Sequence, residues 1–88
     1  MSVDLKFCKK ILELEDMERV NGSGIKPKYL YDEEGRSVFK FILNYYREYS
    51  NREEGTTLPS EELIEEKTGI TLPDTTESFD YLKDEIKN

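Results

Sequence analysis

DEEGRSVFKFILNYYREY, residues Asp32 to Tyr49, is the stretch on which the fold turns. Asp32 is placed to cap a helix, and Glu33 and Glu34 favour its first turn because carboxylates sit well at the positive end of a helix dipole. At 100° per residue Val38, Ile42, Tyr45 and Tyr49 fall close together. Phe39 and Tyr46 flank them on one side and Phe41 on the other. With Leu43 the apolar arc spans roughly 200°, twice what a helix lying on a single core needs. The preferred explanation is a central helix packed on two sides; the other is a margin left for a partner.

Upstream, Leu5, Phe7, Cys8, Ile11, Leu12 and Leu14 recur at helical spacing, with Lys6, Lys9, Lys10 and Glu13 on the opposite half of the wheel. This predicts one amphipathic helix from Asp4 to about Val20. Asn21-Gly22-Ser23-Gly24 stops it, because two glycines among turn formers allow positive φ. Ile25 to Tyr31 holds Pro27, which restricts the residue before it and predicts a single turn or an extended passage.

Downstream, Ser50 to Thr57 has no large apolar residue and reads as an exposed, mobile connection. Ser60 is an N-cap for a short helix, with Glu61 and Glu62 in the first turn and Leu58 placed to fold back on it. Gly69 ends that helix. Ile70-Thr71-Leu72-Pro73 crosses the core, and Asp74 with Glu77 offers a capping-box-like start to a last helix striped by Phe79, Leu82 and Ile86. No segment alternates as a strand does, and no repeat is present. The expected fold is all-α, a small orthogonal bundle of about four to five helices spanning residues 1–88 as one domain.

Acidic residues outnumber basic ones 20 to 13, for a net charge of −7. That balance repels phosphate backbones, so no direct nucleic-acid binding is expected. The alternative to a merely solvated surface is an acidic face complementary to a basic partner. Cys8 is the single cysteine, unable to form an internal disulfide and suited to a reducing cytoplasm as core filler. No run of 18 apolar residues could cross a bilayer, and Asp4 and Lys6 interrupt the place of a signal peptide's apolar stretch. A cytoplasmic protein without membrane contact is expected.

The chain has no histidine, which removes the commonest general base and the commonest ligand for zinc. Nothing matches a phosphate-cradling GxxxxGK[ST] or GxGxxG loop. Glu33-Glu34, Glu53-Glu54, Glu61-Glu62 and Glu65-Glu66 are explained as helix starts and solvated faces. Neither Asp32 nor Asp74 opens a calcium loop. The expectation is no enzyme, no cofactor and no metal. Six tyrosines and four phenylalanines remain, and core packing accounts for most of them. Base stacking would require flanking cations, for which the sequence offers Arg36, Lys40 and Arg47.

KPKYLYDEEGRSVFKFILNYYREY, LPSEEL and SFDYLKDEIK together resemble the N-terminal domain of DnaB-type replicative DNA helicases, in the divergent forms of bacteriophage genomes. Tyr29-Leu30-Tyr31, Asp32, Arg36, Phe39, Tyr45-Tyr46, Tyr49, Pro59-Ser60 and Leu63 carry the likeness, over nearly the whole chain. The chain departs from the pattern at Gly35, where many members carry a histidine, and in the longer loop Ser50 to Thr57. The resemblance implies a helical head domain that pairs with itself, as a homodimer or higher oligomer, and receives primase or the helicase loader. The family's helical hairpin, linker and ATPase would lie beyond Asn88. At the margins of the central helix and off the last helix's stripe, Phe41, Tyr45, Tyr49 and Tyr81 are the candidate interface residues. Two other readings of the residues are a small helix-turn-helix DNA-binding regulator and an acidic inhibitor or DNA mimic.

Overall fold

A computed structural model describes residues 3–49 and 58–87. Among them the chain forms five helices and one 3-10 turn and no strand: α1 Val3–Leu14, α2 Met17–Gly22, the turn Pro27–Tyr29, α3 Glu33–Tyr49, α4 Glu61–Thr68 and α5 Phe79–Lys87. The all-α bundle expected from the periodicity is what forms. The connection Ser50 to Thr57 lies outside the described residues.

The first expected helix is two helices. Glu15 takes a left-handed φ of 53°, and Asp16 restarts the chain by accepting a 3.1 Å hydrogen bond from the Arg19 amide. The physical reason lies in the positions of Met17 and Val20. A straight continuation of α1 would aim them about 120° and about 180° away from Ile11. With the break, both are buried in the same core as Ile11, while Leu14 before it is left exposed.

The start of the last helix also differs from expectation. α5 begins at Phe79 and is capped by Ser78, whose Oγ accepts from the Tyr81 amide at 3.1 Å. Asp74 and Glu77 instead face α1, where Lys9 approaches Asp74 at 3.8 Å and Lys6 bonds Glu77 at 3.0 Å. Local hydrogen bonding competes with the helix here, since Thr75 Oγ1 accepts from the Glu77 amide at 3.2 Å.

The other signals hold. Ser60 caps α4 by accepting from the Leu63 amide at 3.1 Å, and Gly69 closes it at φ 75°. Gly24 adopts φ 78° after α2. The Asp32 carbonyl accepts the first α3 hydrogen bond, from the Arg36 amide at 2.9 Å. Phe7 of α1 is the hub of the core, edge-on to Phe39 of α3 with centroids 5.8 Å apart and 5.3 Å from Phe79 of α5. Ile11, Val20, Leu30, Val38, Ile42, Ile64 and Leu82 are fully buried around it. Each such side chain contributes roughly 1.5–3 kcal/mol by leaving water.

Candidate protein-interaction surface

α3 has 17 residues and is the longest helix among those described. Its N-terminal half is held on several sides. Gly35, Val38, Phe39 and Ile42 are buried, and the helix as a whole contacts α1, the 3-10 turn and α4. Tyr46 packs against the core from the margin. The first turns are thus central, as the preferred explanation of the wide apolar arc requires, and the aromatic side chains become more exposed toward the last turn, where Tyr49 reaches solvent.

That surface is a ladder built by helical spacing. Phe41, Tyr45 and Tyr49 stand at i, i+4 and i+8, so each ring meets the next. Phe41 and Tyr45 have centroids 6.3 Å apart, and Tyr45 and Tyr49 4.6 Å apart. Tyr49 at the end is 40% exposed. Leu63 and Lys67 of α4, themselves an i, i+4 pair, form the opposite wall, and Asn44 and Glu48 complete a groove of about 430 Å³. The rings have few rotatable bonds, which makes them low-entropy contact surface of the kind enriched at the centres of protein interfaces.

Three of the four expected interface residues thus line one groove, and Tyr81 does not. It lies on α5, 51% exposed, and its hydroxyl donates to Glu85 Oε1 at 2.9 Å. That hydrogen bond, with the nearby Glu85 charge, raises the Tyr81 phenol above its ordinary value of 10.0. The sequence reasoning missed Leu63 and Lys67 as wall residues. Their i, i+4 spacing was visible, but which face α4 turns toward α3 was not.

A second aromatic surface was also missed. Tyr29 is 46% and Tyr31 90% exposed, on a turn fixed by Arg36, whose Nη1 donates to the Leu30 and Tyr31 carbonyls at 2.9 and 2.8 Å. The cations beside these rings are Lys28, whose Nζ lies 5.7 Å from the Tyr29 ring centroid, and Lys87, which lines a pocket with Tyr29. Arg36, counted in the sequence as a flanking cation, is instead occupied by backbone carbonyls. The alternation Lys26-Pro27-Lys28-Tyr29-Leu30-Tyr31 was the available signal.

Among the described residues no group of three or more His, Cys, Asp or Glu is placed to hold a metal ion. No described helix is long and apolar enough to cross a membrane. Cys8 is fully buried, with its Sγ 3.8 Å from the Gly35 carbonyl; desolvation, and secondarily the charge of Asp4, push its thiol far up. It fills core space, where burial disfavours the thiolate that a nucleophile needs. No family model, curated protein or solved structure was found to match the chain.

Proposed function

We propose that the chain is a non-catalytic protein-interaction domain of a DnaB-type replicative DNA helicase, serving subunit association and the binding of primase or the helicase loader. The observation that carries the interaction reading is the Phe41–Tyr45–Tyr49 ladder, half-buried at Phe41 and Tyr45 and exposed at Tyr49, along one wall of a groove whose other wall is Leu63 and Lys67. Rigid aromatic anchors beside an aliphatic wall suit a buried interface centre better than they suit open water. The helicase assignment rests on the likeness of residues 26–49, 58–63 and 78–87 to that family, with which an all-α bundle agrees.

The helix-turn-helix alternative draws no support from α4. Its exposed residues include Glu61, Glu62, Glu65 and Glu66, which would meet a phosphate backbone with like charge.

Sedimentation equilibrium together with binding to immobilised primase and loader tests the proposal. The expected result is association by the wild-type chain that weakens about tenfold or more in Tyr45→Ala, with the helical circular dichroism spectrum retained. A wild-type chain that stays monomeric at high concentration and retains neither protein would overturn it.

A further inference from the structure

We propose a second docking surface, where the 3-10 turn meets the end of α5, for an acidic peptide segment of a partner protein that carries an aromatic or aliphatic anchor. The inference stands apart from the α3–α4 groove and does not depend on the helicase reading.

The pocket there has a volume of about 370 Å³ and is lined by Gly24, Tyr29, Ile86 and Lys87. Its floor is apolar, since Ile86 is half-buried against the core and Tyr29 presents an exposed ring. One cation, Lys87, is in its lining. The Lys87 ammonium lies beside Gly24, 3.8 Å from where a β-carbon on that residue would stand, an ordinary contact distance. Lys28 sits by the Tyr29 ring, and Lys26 is two residues before it.

Lys6, Lys9, Lys10, Arg19 and Lys83 each approach a carboxylate within 4.0 Å, as surface cations on a chain of net charge −7 readily do. Among the described residues Lys26, Lys28 and Lys87 make no such pair, as Arg36, Lys40, Arg47 and Lys67 do not either; Lys28 and Lys87 are the two that lie beside the Tyr29 ring and its pocket. Uncompensated positive charge around an apolar pocket, on an otherwise acidic protein, is complementary to a short carboxylate-bearing segment with one apolar side chain to insert.

The surface is also preorganised. The Tyr29 amide donates to the Lys26 carbonyl at 2.8 Å, the Leu30 amide donates to the Pro27 carbonyl at 3.1 Å, and Arg36 anchors the carbonyls of Leu30 and Tyr31. A partner would not have to order the backbone of this turn, which removes part of the usual entropic penalty of association. A peptide fits better than a nucleic acid. Asp32, Glu33 and Glu34 follow Tyr31 directly, so a continuous polyanion would run from the lysines onto carboxylates, whereas a short segment can confine its charge to the pocket.

The test is a titration of the ¹⁵N-labelled chain, followed by amide shifts. The probes are a short synthetic peptide of Asp and Glu around a central Phe, the same peptide with Lys at the acidic positions, and oligothymidylate. The acidic peptide is expected to shift the Gly24, Tyr29 and Ile86 amides saturably, and to bind more weakly as salt is raised. The Lys28→Glu/Lys87→Glu double variant should lose about tenfold or more in affinity, and Tyr29→Ala should lose affinity with the charges intact. All the substituted residues are exposed, and an unchanged melting temperature verifies the fold of each variant. Absence of saturable shifts with the acidic peptide, equal binding by the double variant, or preference for the basic peptide or for oligothymidylate would each overturn the proposal. Loss of association in Tyr45→Ala with these shifts intact would separate this surface from the groove between α3 and α4.

Discussion

Gly35 of α3 lies directly against Asp4 of α1, so that a β-carbon added at Gly35 would overlap the Asp4 β-carbon. The approach lets the Asp4 carboxylate reach past α3 and accept a 2.6 Å hydrogen bond from the Asp32 amide, just before the helix starts. The first turns of two helices distant in sequence are thereby joined. The absence of a side chain at position 35 is what permits contact at that distance.

Gly35→Ala is therefore expected to destabilise the fold. Alanine's better helix propensity is worth about 1 kcal/mol. Overpacking against a backbone-anchored β-carbon costs about 1–3 kcal/mol, and here it also displaces the Asp4 hydrogen bond. The net loss should appear as a lower urea midpoint with an unchanged slope. A midpoint equal to or above wild type would show that α1 can move away freely.

The break between α1 and α2 makes two opposite predictions. Asp16→Ala removes the cap on the Arg19 amide and should lower stability by about 1 kcal/mol. Glu15→Gly should raise it by roughly 0.5–1 kcal/mol, because the left-handed φ penalises a β-carbon more than glycine's extra chain entropy opposes folding. Paired denaturation curves check both, and a destabilised Glu15→Gly would contradict the left-handed assignment.

The Cys8 thiol should be inert in the native chain. Burial raises its pKa and excludes reagent, so labelling by a disulfide reagent at neutral pH should be limited by unfolding and become rapid in denaturant. Fast labelling of the folded protein would refute the packing of α1 on α3.

Tyr81 should ionise above the ordinary phenol range. Its neutral form donates to Glu85, so the folded chain holds that proton more tightly than the unfolded one does. The associated stabilisation is present below the unfolded pKa near 10 and disappears as pH rises through the higher folded value. Ultraviolet titration with Tyr81→Phe as reference should assign the late phase to this residue, and Glu85→Gln should bring it back toward 10.

The Lys9 ammonium behaves in the same direction. Its hydrogen bond to Glu61, at 2.6 Å, raises its pKa above 10.5, against a smaller opposing effect of burial. The Lys9–Glu61 link is complete below that value and is lost as pH rises through the folded pKa. Lys9→Met should accordingly flatten the alkaline part of the stability profile while leaving the acid limb in place, as measured by thermal melts across pH.

Much of the fold was legible because its signals are local. Helical periodicity gave α3, Ser60 and Gly69 gave both ends of α4, and Phe79, Leu82 and Ile86 gave the stripe of α5. Phe41, Tyr45 and Tyr49 were legible as margin residues of α3, whereas the ladder they form is seen in the contacts of their rings. The break at Glu15 was readable in principle from Met17 and Val20, which fall off the stripe of Ile11, but the helical propensity around them concealed it.

What the sequence determined by itself is therefore the helical class, most helix ends and the margin residues of α3, because each depends on residues within about four positions of one another. What the tertiary structure decided are the pairings between distant segments. Lys6 and Lys9 seemed to belong to a solvated face, yet they hold Glu77 and Glu61 from the other end of the chain. Leu63 and Lys67 wall the groove, Tyr81 stands apart from it, and Lys87 joins Tyr29. These depend on how rigid helices rotate to bury Phe7, Phe39 and Phe79 together, a global packing condition that no local spacing encodes.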